Sequence, residues 1–383
     1  MPDVGLLLPG VPEGLADDVA LVRAMLAVEV AWSRTLVSTG RADAASAARV
    51  AEVADALAAE PAGFAAELAA ASAATGNPVI ALVARLRAEA GDPHAAAVHT
   101  GLTSQDVVDT ALVLVTRDAA HDTRDGLHRA RVALTRLART HRETPALART
   151  LAQAAAPTTF GARFAGWLQG VAEAEDRLAG VAFPVAWGGA AGTLESVPGD
   201  RLDVLRPWAA GLGLAETVAP WHTTRAPVLR IGGAFAEVCA ALGTITSDVL
   251  AAARPGVEEL GEPAGAGRGA SSAMPFKRNP VASVLIRRSA LVAPHALAQL
   301  HTAAGLAVDE RPDGAWHAEW PALRELARHA ASASALAAEL LEGLEVHPDA
   351  AARLLAAHPE VGDDPGAAVA LVDRALESYG ADA

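Results

Sequence analysis

Lys277 is the only lysine among 31 basic side chains. It lies in Gly269-Ala270-Ser271-Ser272-Ala273-Met274-Pro275-Phe276-Lys277-Arg278-Asn279-Pro280, which also holds one of only two asparagines, Asn279. A chain that uses arginine for nearly every other cation keeps a compact, flexible ammonium here, and the two are not interchangeable where a cation must meet a reacting group. Gly256, Gly261, Gly265, Gly267 and Gly269 precede or open this segment. Such glycines let backbone N–H groups converge on one anion and let a loop close over a substrate. Ser271 or Ser272 would serve as a base if those N–H groups stabilised its alkoxide, with Lys277 and Asn279 holding a carboxylate or a developing enediolate. The bland alternative is a solvated linker. A nucleotide loop is excluded, because no strand precedes the glycines and the Gly-Lys-Ser/Thr ending is missing; the segment is also not a Gly-x-Ser-x-Gly elbow.

Two further segments carry polar side chains at the start of a helical pattern. In His99-Thr100-Gly101-Leu102-Thr103-Ser104-Gln105-Asp106, Thr103 or Ser104 is a good N-cap with Asp106 in the first turn. This is either a well-capped helix start or an anion site made of hydroxyls and free N–H groups. In Arg149-Thr150-Leu151-Ala152-Gln153-Ala154-Ala155-Ala156-Pro157-Thr158-Thr159, Gln153 stands alone in an apolar run. It is either a buried amide satisfying the backbone or a ligand contact.

Helices must position all three. Nearly every long segment carries a helical period, and no strand alternation stands out. Several short helices are expected over 16–72, with a turn at Asn77-Pro78 and a short helix to about Arg87. Long patterns run from Thr103 to about Arg142, from Pro157 to about Val181, and from Arg225 to Arg254. A helix near 200–211 follows a Gly/Pro-rich stretch. Residues 256–280 break the period for longer than an ordinary connector does, and such loops are usually functional. Helix resumes over Val281–Ala307 and Trp316–Leu344, and two short helices fill 346–383. Long helices that are apolar over much of their circumference need partners on several sides, which leads us to expect an obligate oligomer.

Composition narrows the function. Hydrophobic residues make up 52% of the chain and aromatics only 4%, an Ala- and Leu-rich balance that favours helix. A net charge of −14 argues against a nucleic-acid partner. Cys239, the only cysteine, lies in an apolar run and reads as a packed core thiol; no Cys/His set has zinc spacing. Neither a signal peptide nor an uninterrupted apolar membrane span is visible, so a cytoplasmic protein without a membrane partner is expected.

Taken together, the three polar segments resemble the three signature regions of the fumarase/aspartase superfamily, the run Ser271 to Pro280 most specifically. His99-x-Gly101-x-Thr103-Ser104-Gln105-Asp106 is similar to the adenylosuccinate lyase and 3-carboxy-cis,cis-muconate cycloisomerase branches. Gly188-Gly189-Ala190-Ala191-Gly192-Thr193-Leu194, Pro220-Trp221-His222-Thr223 and Trp316-His317-Ala318-Glu319-Trp320-Pro321 resemble the cycloisomerase branch. The resemblance implies an all-α, three-unit subunit. Residues 1–102 would form an N-terminal helical domain, 103–345 a central long-helix bundle with the catalytic loop 256–280, and 346–383 a short C-terminal domain. It implies a homotetramer built on a shared helix core, with each active site assembled from three subunits. Ser271 is then the catalytic serine, and Lys277 and His99 complete the catalytic set. Thr103, Ser104, Gln153, Asn279, Met274, His222 and Arg278 are expected to contact a small polycarboxylate. Neither metal nor organic cofactor is implied.

One departure bears on mechanism. Family lyases often carry a histidine where this chain has Leu151, and cycloisomerases one where it has Ala154. The family reaction moves a proton at a carbon next to a carboxylate while a group leaves the β-carbon. An amine or hydroxide needs a general acid to leave. A carboxylate, whose conjugate acid has a pKa of about 4, needs none. The missing histidines are therefore better tolerated in a muconate cycloisomerase, whose nucleophile is the substrate's own carboxylate, than in an amine lyase. A lyase releasing fumarate from a succinate with a good leaving group such as nitrite is the enzymatic alternative, and a catalytically silent scaffold the non-enzymatic one.

Overall fold

The computed structural model describes residues 8–263, 269–270, 273–274 and 277–380. Ser271 and Ser272, on which the proposed base falls, lie outside the described residues.

Twelve α-helices are described: α1 (Asp18–Ser38), α2 (Ala44–Ala59), α3 (Pro61–Thr75), α4 (Val79–Ala90), α5 (Ser104–Thr140), α6 (Phe160–Ala179), α7 (Leu205–Leu212), α8 (Ala226–Ala252), α9 (Val281–Gly305), α10 (Gly314–Glu342), α11 (Pro348–Ala356) and α12 (Ala368–Tyr379). The long periods read from the sequence are these helices to within a few residues. Caps explain several of the starts. The Asp17 carboxylate accepts from the Ala20 N–H, Asp43 from Ser46, and the Thr159 hydroxyl from Ala162. Where several short helices were expected over 16–72, α1 is a single helix of 21 residues.

The largest local departure is a hairpin. Strands β1 (Pro145–Thr150) and β2 (Gln153–Thr159) pair antiparallel, with Thr150 opposite Gln153 and a bulge between Ala148 and Arg149. The helix expected from Pro157 instead begins at Phe160, because Thr159 is still extended backbone and its hydroxyl caps the next turn. At the hairpin tip Leu151 and Ala152 have φ of 51° and 64°. Two positive φ values make the tight primed turn whose twist suits a hairpin, although asparagine and glycine usually supply it. A second pair, β3 (Leu260–Gly261) with β4 (Glu345–Val346), ties the root of the glycine-rich loop to the chain after α10.

The chain forms two compact units, each from three separated stretches: Met1–Ala119, Val181–Gly233 and Ala296–Arg328 in one, and Ala120–Gly180, Ala234–His295 and His329–Ala383 in the other. Helices α5, α8, α9 and α10 each supply a segment to both.

In the first unit Trp32 and Trp208 meet edge to face with ring centroids 4.8 Å apart, both fully buried. Side chains of this size are each worth about 4–6 kcal/mol of transfer free energy before the entropy of ordering them is subtracted. The Trp32 indole N–H also donates to the carbonyl of Thr100 at 2.9 Å, which fastens α1 to the segment that leads into α5. In the second unit Phe160 stacks on Phe164 at 6.0 Å and His141 meets both rings edge-on.

Helices α8 and α9 are long and apolar enough to cross a membrane by length and composition. The most apolar window of α8 is 56% buried, as in a core helix, whereas that of α9 is only 33% buried and presents Val284 and Leu291 to the exterior.

Candidate active site

In the first unit the site grows from the N-terminus of α5. Asp106, three residues after Thr103, turns its carboxylate back to accept the Thr103 backbone N–H at 2.9 Å, the reciprocal half of a capping box. The same oxygen accepts the Gly189 N–H at 3.0 Å, and the other accepts Nε2–H of His222 at 2.7 Å. One fully buried carboxylate thus gathers the helix start, the Gly188-Gly189 turn and the Pro220-Trp221-His222 segment. The helix start is capped by Asp106, and the same carboxylate also holds His222. Gly189 (φ 68°) must lack a side chain, since a Cβ there would come within 2.9 Å of the Gly101 carbonyl. His222 Nδ1 and the Gln105 side-chain oxygen are buried without a hydrogen-bond partner.

Behind this lies a buried charge cluster. The Arg225 guanidinium donates to Asp109 at 2.7 and 3.1 Å and forks onto Glu319 at 2.6, 3.0 and 3.1 Å. Trp316 donates its indole N–H to Asp109 at 2.9 Å. Burial alone would lower the Arg225 pKa; the Asp109 and Glu319 carboxylates reverse that and raise it, so the guanidinium stays charged. The cluster holds α5, α8 and α10 at one register in this unit, directly beneath His222, whose carbonyl accepts from the Gln105 amide at 2.9 Å.

His99 stands in the same unit. Its backbone has φ 62°, outside the usual range for a residue with a side chain, and its carbonyl accepts the Leu102 N–H at 3.2 Å. Its Nδ1 lies 2.7 Å from a carboxylate oxygen of Glu29 on α1. Thr103 is buried, and Ser104, the first residue of α5, is half-buried.

The second unit carries Lys277, Arg278, Asn279 and Met274, and separately Gln153. Lys277 and Arg278 are exposed. With Asn279 they line a cavity of about 830 Å³ whose apolar side includes Leu250 and Leu260 and whose acidic side includes Glu258, Glu262 and Glu345. Asn279 closes the loop neck. Its backbone N–H and its side-chain amide both donate to the Gly269 carbonyl, at 2.9 and 3.2 Å, and a Cβ on Gly269 would fall 2.4 Å from the Asn279 carbonyl. Glu262 accepts the Ala282 and Ser283 N–H groups at 3.1 and 2.7 Å and so caps α9 just beyond the loop. Gln153 is exposed beside the hairpin tip rather than buried, so it does not satisfy an interior backbone group. Below it, Arg149 of β1 donates at 2.8 Å to the fully buried Glu259, whose backbone N–H and carbonyl bond Ala252 and His347. The hairpin and the root of the loop are thereby joined.

The structure therefore gathers His99, Thr103, Ser104 and His222 in one unit, and Lys277, Arg278, Asn279, Met274 and Gln153 in the other. Sequence reasoning gave no separate role to Glu29, Glu259 or the Arg225 cluster, and read Asp106 only as the first-turn residue of a capped helix. A signal for Glu29 exists: it is the one charge in Met25-Leu26-Ala27-Val28-Glu29-Val30-Ala31-Trp32. Among the described residues no group of three His, Cys, Asp or Glu side chains could hold a metal ion.

A family profile of lyases matches residues 15–294, nearly three quarters of the chain. The chain belongs to the fumarase/aspartase lyase superfamily. Among its superfamily relatives, a nitrosuccinate lyase of Streptomyces davaonensis is 47% identical over 369 residues, covering 91% of this chain and 76% of that one. A 3-carboxy-cis,cis-muconate cycloisomerase of Bradyrhizobium diazoefficiens is 39% identical over 336 residues, covering 86% and 73%. The crystal structure of the Acinetobacter calcoaceticus beta-carboxy-cis,cis-muconate cycloisomerase superposes with a TM-score of 0.81 at 25% identity, covering 95% of this chain and 84% of that one. The family match, over 15–294, spans all three polar segments.

Proposed function

We propose that this enzyme is a fumarate-forming lyase that expels nitrite from a nitro-substituted succinate. The observation that carries the proposal is the 47% identity, sustained over 91% of the chain, with a nitrosuccinate lyase. The hairpin agrees with it chemically. The positions where a leaving-group acid is expected hold Leu151, which is 98% exposed, and Ala154. Nitrite is the conjugate base of an acid of roughly carboxylic strength and departs without a proton, whereas an amine does not.

In this reading the proton on the carbon next to the distal carboxylate passes to Ser271, assigned by its place in the signature. The electron pair left behind spreads into that carboxylate as an enediolate, then forms the carbon–carbon double bond as the C–N bond breaks with both electrons going to nitrite. Lys277 and Asn279 stabilise the enediolate, which gains charge only in the transition state. Thr103, Ser104, Gln153, His222, Met274 and Arg278 orient the two carboxylates and the nitro group, and His99 faces the reacting end. Residues from three subunits of a homotetramer complete each site. The exposed Val284, Leu291 and Leu151 are the apolar surface such an assembly would cover. We place the reaction in the cytoplasm, on freely diffusing small acids.

Muconate lactonisation is the second reading, favoured by the cycloisomerase relative at 39% identity. It uses the same proton transfer at carbon and likewise needs no acid for its carboxylate nucleophile. Incubation with nitrosuccinate, 3-carboxy-cis,cis-muconate and a panel of amino- and thio-substituted succinates separates them. Fumarate and nitrite appearing in equal amounts is the expected result. Loss of the muconate diene absorbance with no nitrite from nitrosuccinate would transfer the assignment to the cycloisomerase. Light scattering on the purified protein checks the tetramer.

A further inference from the structure

His99 is held in a way that a structural histidine does not require. Its backbone occupies the left-handed region at φ 62°, which a non-glycine residue rarely adopts, and such strain gathers at functional sites. Its Nδ1 is 2.7 Å from Glu29 Oε1. Glu29 is fully buried in the middle of α1, and its second oxygen is buried without a hydrogen-bond partner. A buried carboxylate is expensive unless paired. A neutral leucine or methionine at position 29 would pack this helix against Trp32 and its neighbours at lower cost. Nε2 of His99 makes no hydrogen bond to any described residue, and the ring keeps 15% of its surface exposed.

We infer that Glu29 is the positioning residue of His99. Its carboxylate accepts the hydrogen bond of Nδ1–H, fixes the ring plane, and leaves Nε2 as the one ring nitrogen turned toward an incoming acidic substrate. His99 then meets an oxygen of the substrate's nitro or carboxylate group, and Glu29 acts only through it. The unpaired Glu29 oxygen follows from the same arrangement: the carboxylate is there for a single partner. His222 is placed differently. Asp106 takes its Nε2, and its remaining nitrogen is buried. This assignment rests on the lyase reading for the identity of the substrate, and not for the orientation of the ring.

Two measurements test it. In protein labelled with nitrogen-15 in histidine, with a His99→Gln chain to identify the signal, the His99 ring is expected to carry a proton on Nδ1 in the absence of any substrate. A ring protonated on Nε2 alone overturns the inference whatever the enzyme's substrate proves to be. Glu29→Gln, which keeps shape and volume, is expected to lower kcat on whichever substrate the wild-type chain turns over by about a hundredfold or more, mostly without raising KM and with the melting temperature held. Wild-type turnover by Glu29→Gln also overturns it. Should that variant lose activity together with its fold, the ring measurement on the wild type decides. A wild type inert toward every acid offered defeats the lyase proposal and leaves the ring measurement standing.

Discussion

His222 Nε2 lies 2.7 Å from Oδ1 of Asp106, and the other oxygen of that carboxylate holds the N–H groups of Thr103 and Gly189. Three segments far apart in sequence converge on one side chain three atoms long. Asp106→Asn exchanges an acceptor for a donor at one of these contacts, so either a backbone N–H or the His222 ring loses its partner. Leaving a buried donor unsatisfied costs about 1–3 kcal/mol. The urea midpoint should fall accordingly, and activity should fall further, because His222 is free to take the other tautomer. A variant with unchanged midpoint and turnover would show that the convergence has no energetic weight.

Arg225 carries two buried carboxylates. Arg225→Met leaves Asp109 and Glu319 without a cation, a change that costs about 3–5 kcal/mol when one partner of a buried pair is lost. The pH dependence has a definite sign. Burial holds the Glu319 carboxyl above the usual carboxylate range, and Arg225 partly offsets this. Without Arg225 only raising influences remain. A carboxyl whose folded pKa is raised contributes stability below its unfolded value and loses it as pH climbs through the folded one. The variant should therefore fall further behind the wild type as the pH climbs above the ordinary carboxylate range. Chemical unfolding of both proteins at several pH values measures the gap; a gap that narrows on the way up contradicts the arrangement.

The hairpin tip places leucine and alanine at two positive φ values where glycine or asparagine is at ease. Replacing Leu151-Ala152 by Asn-Gly relieves a strain of about 1–2 kcal/mol per residue and should raise the denaturation midpoint. If the tip is shaped for catalysis, turnover falls at the same time, since the exposed leucine is lost along with the strain. Calorimetry and an activity assay on one double variant read both.

Burial pushes the Cys239 thiol up to about 12, with no exposed surface. Only the thiolate is nucleophilic, so an alkylating reagent at mildly basic pH should leave the native protein unmodified and fully active. Mass spectrometry before and after denaturation checks this; rapid alkylation of the native state would mean that α8 opens.

Much of the frame was legible because it rests on period and caps. The run from Thr103 to Arg142 announces α5, and Asp17, Asp43 and Thr159 are cap residues by type. The hairpin was not legible. Its strands read Leu-Ala-Arg-Thr and Gln-Ala-Ala-Ala, with few β-branched residues and no Asn-Gly turn, so nothing marked them as strands, and the end of the second, from Pro157, was read as helix. Tertiary pairing through Arg149 and Glu259 decides it instead. Lys277 and Asn279 stood out by rarity, which sequence alone reveals. Glu29 and the Arg225 cluster did not, because what distinguishes a buried charge from a surface one is its neighbours across the fold. Asp106 looked like a cap, which it is; that it also serves His222, 116 positions away, only folding discloses.

A chain whose one lysine is exposed on the glycine-rich loop, and whose one thiol is sealed inside a helix, comes already addressed for chemical tagging. Apart from the α-amino group, an amine-directed fluorophore has a single destination. Because acylation removes the ammonium assigned to the enediolate, turnover should stop as that one site is labelled, and bound substrate should slow the labelling.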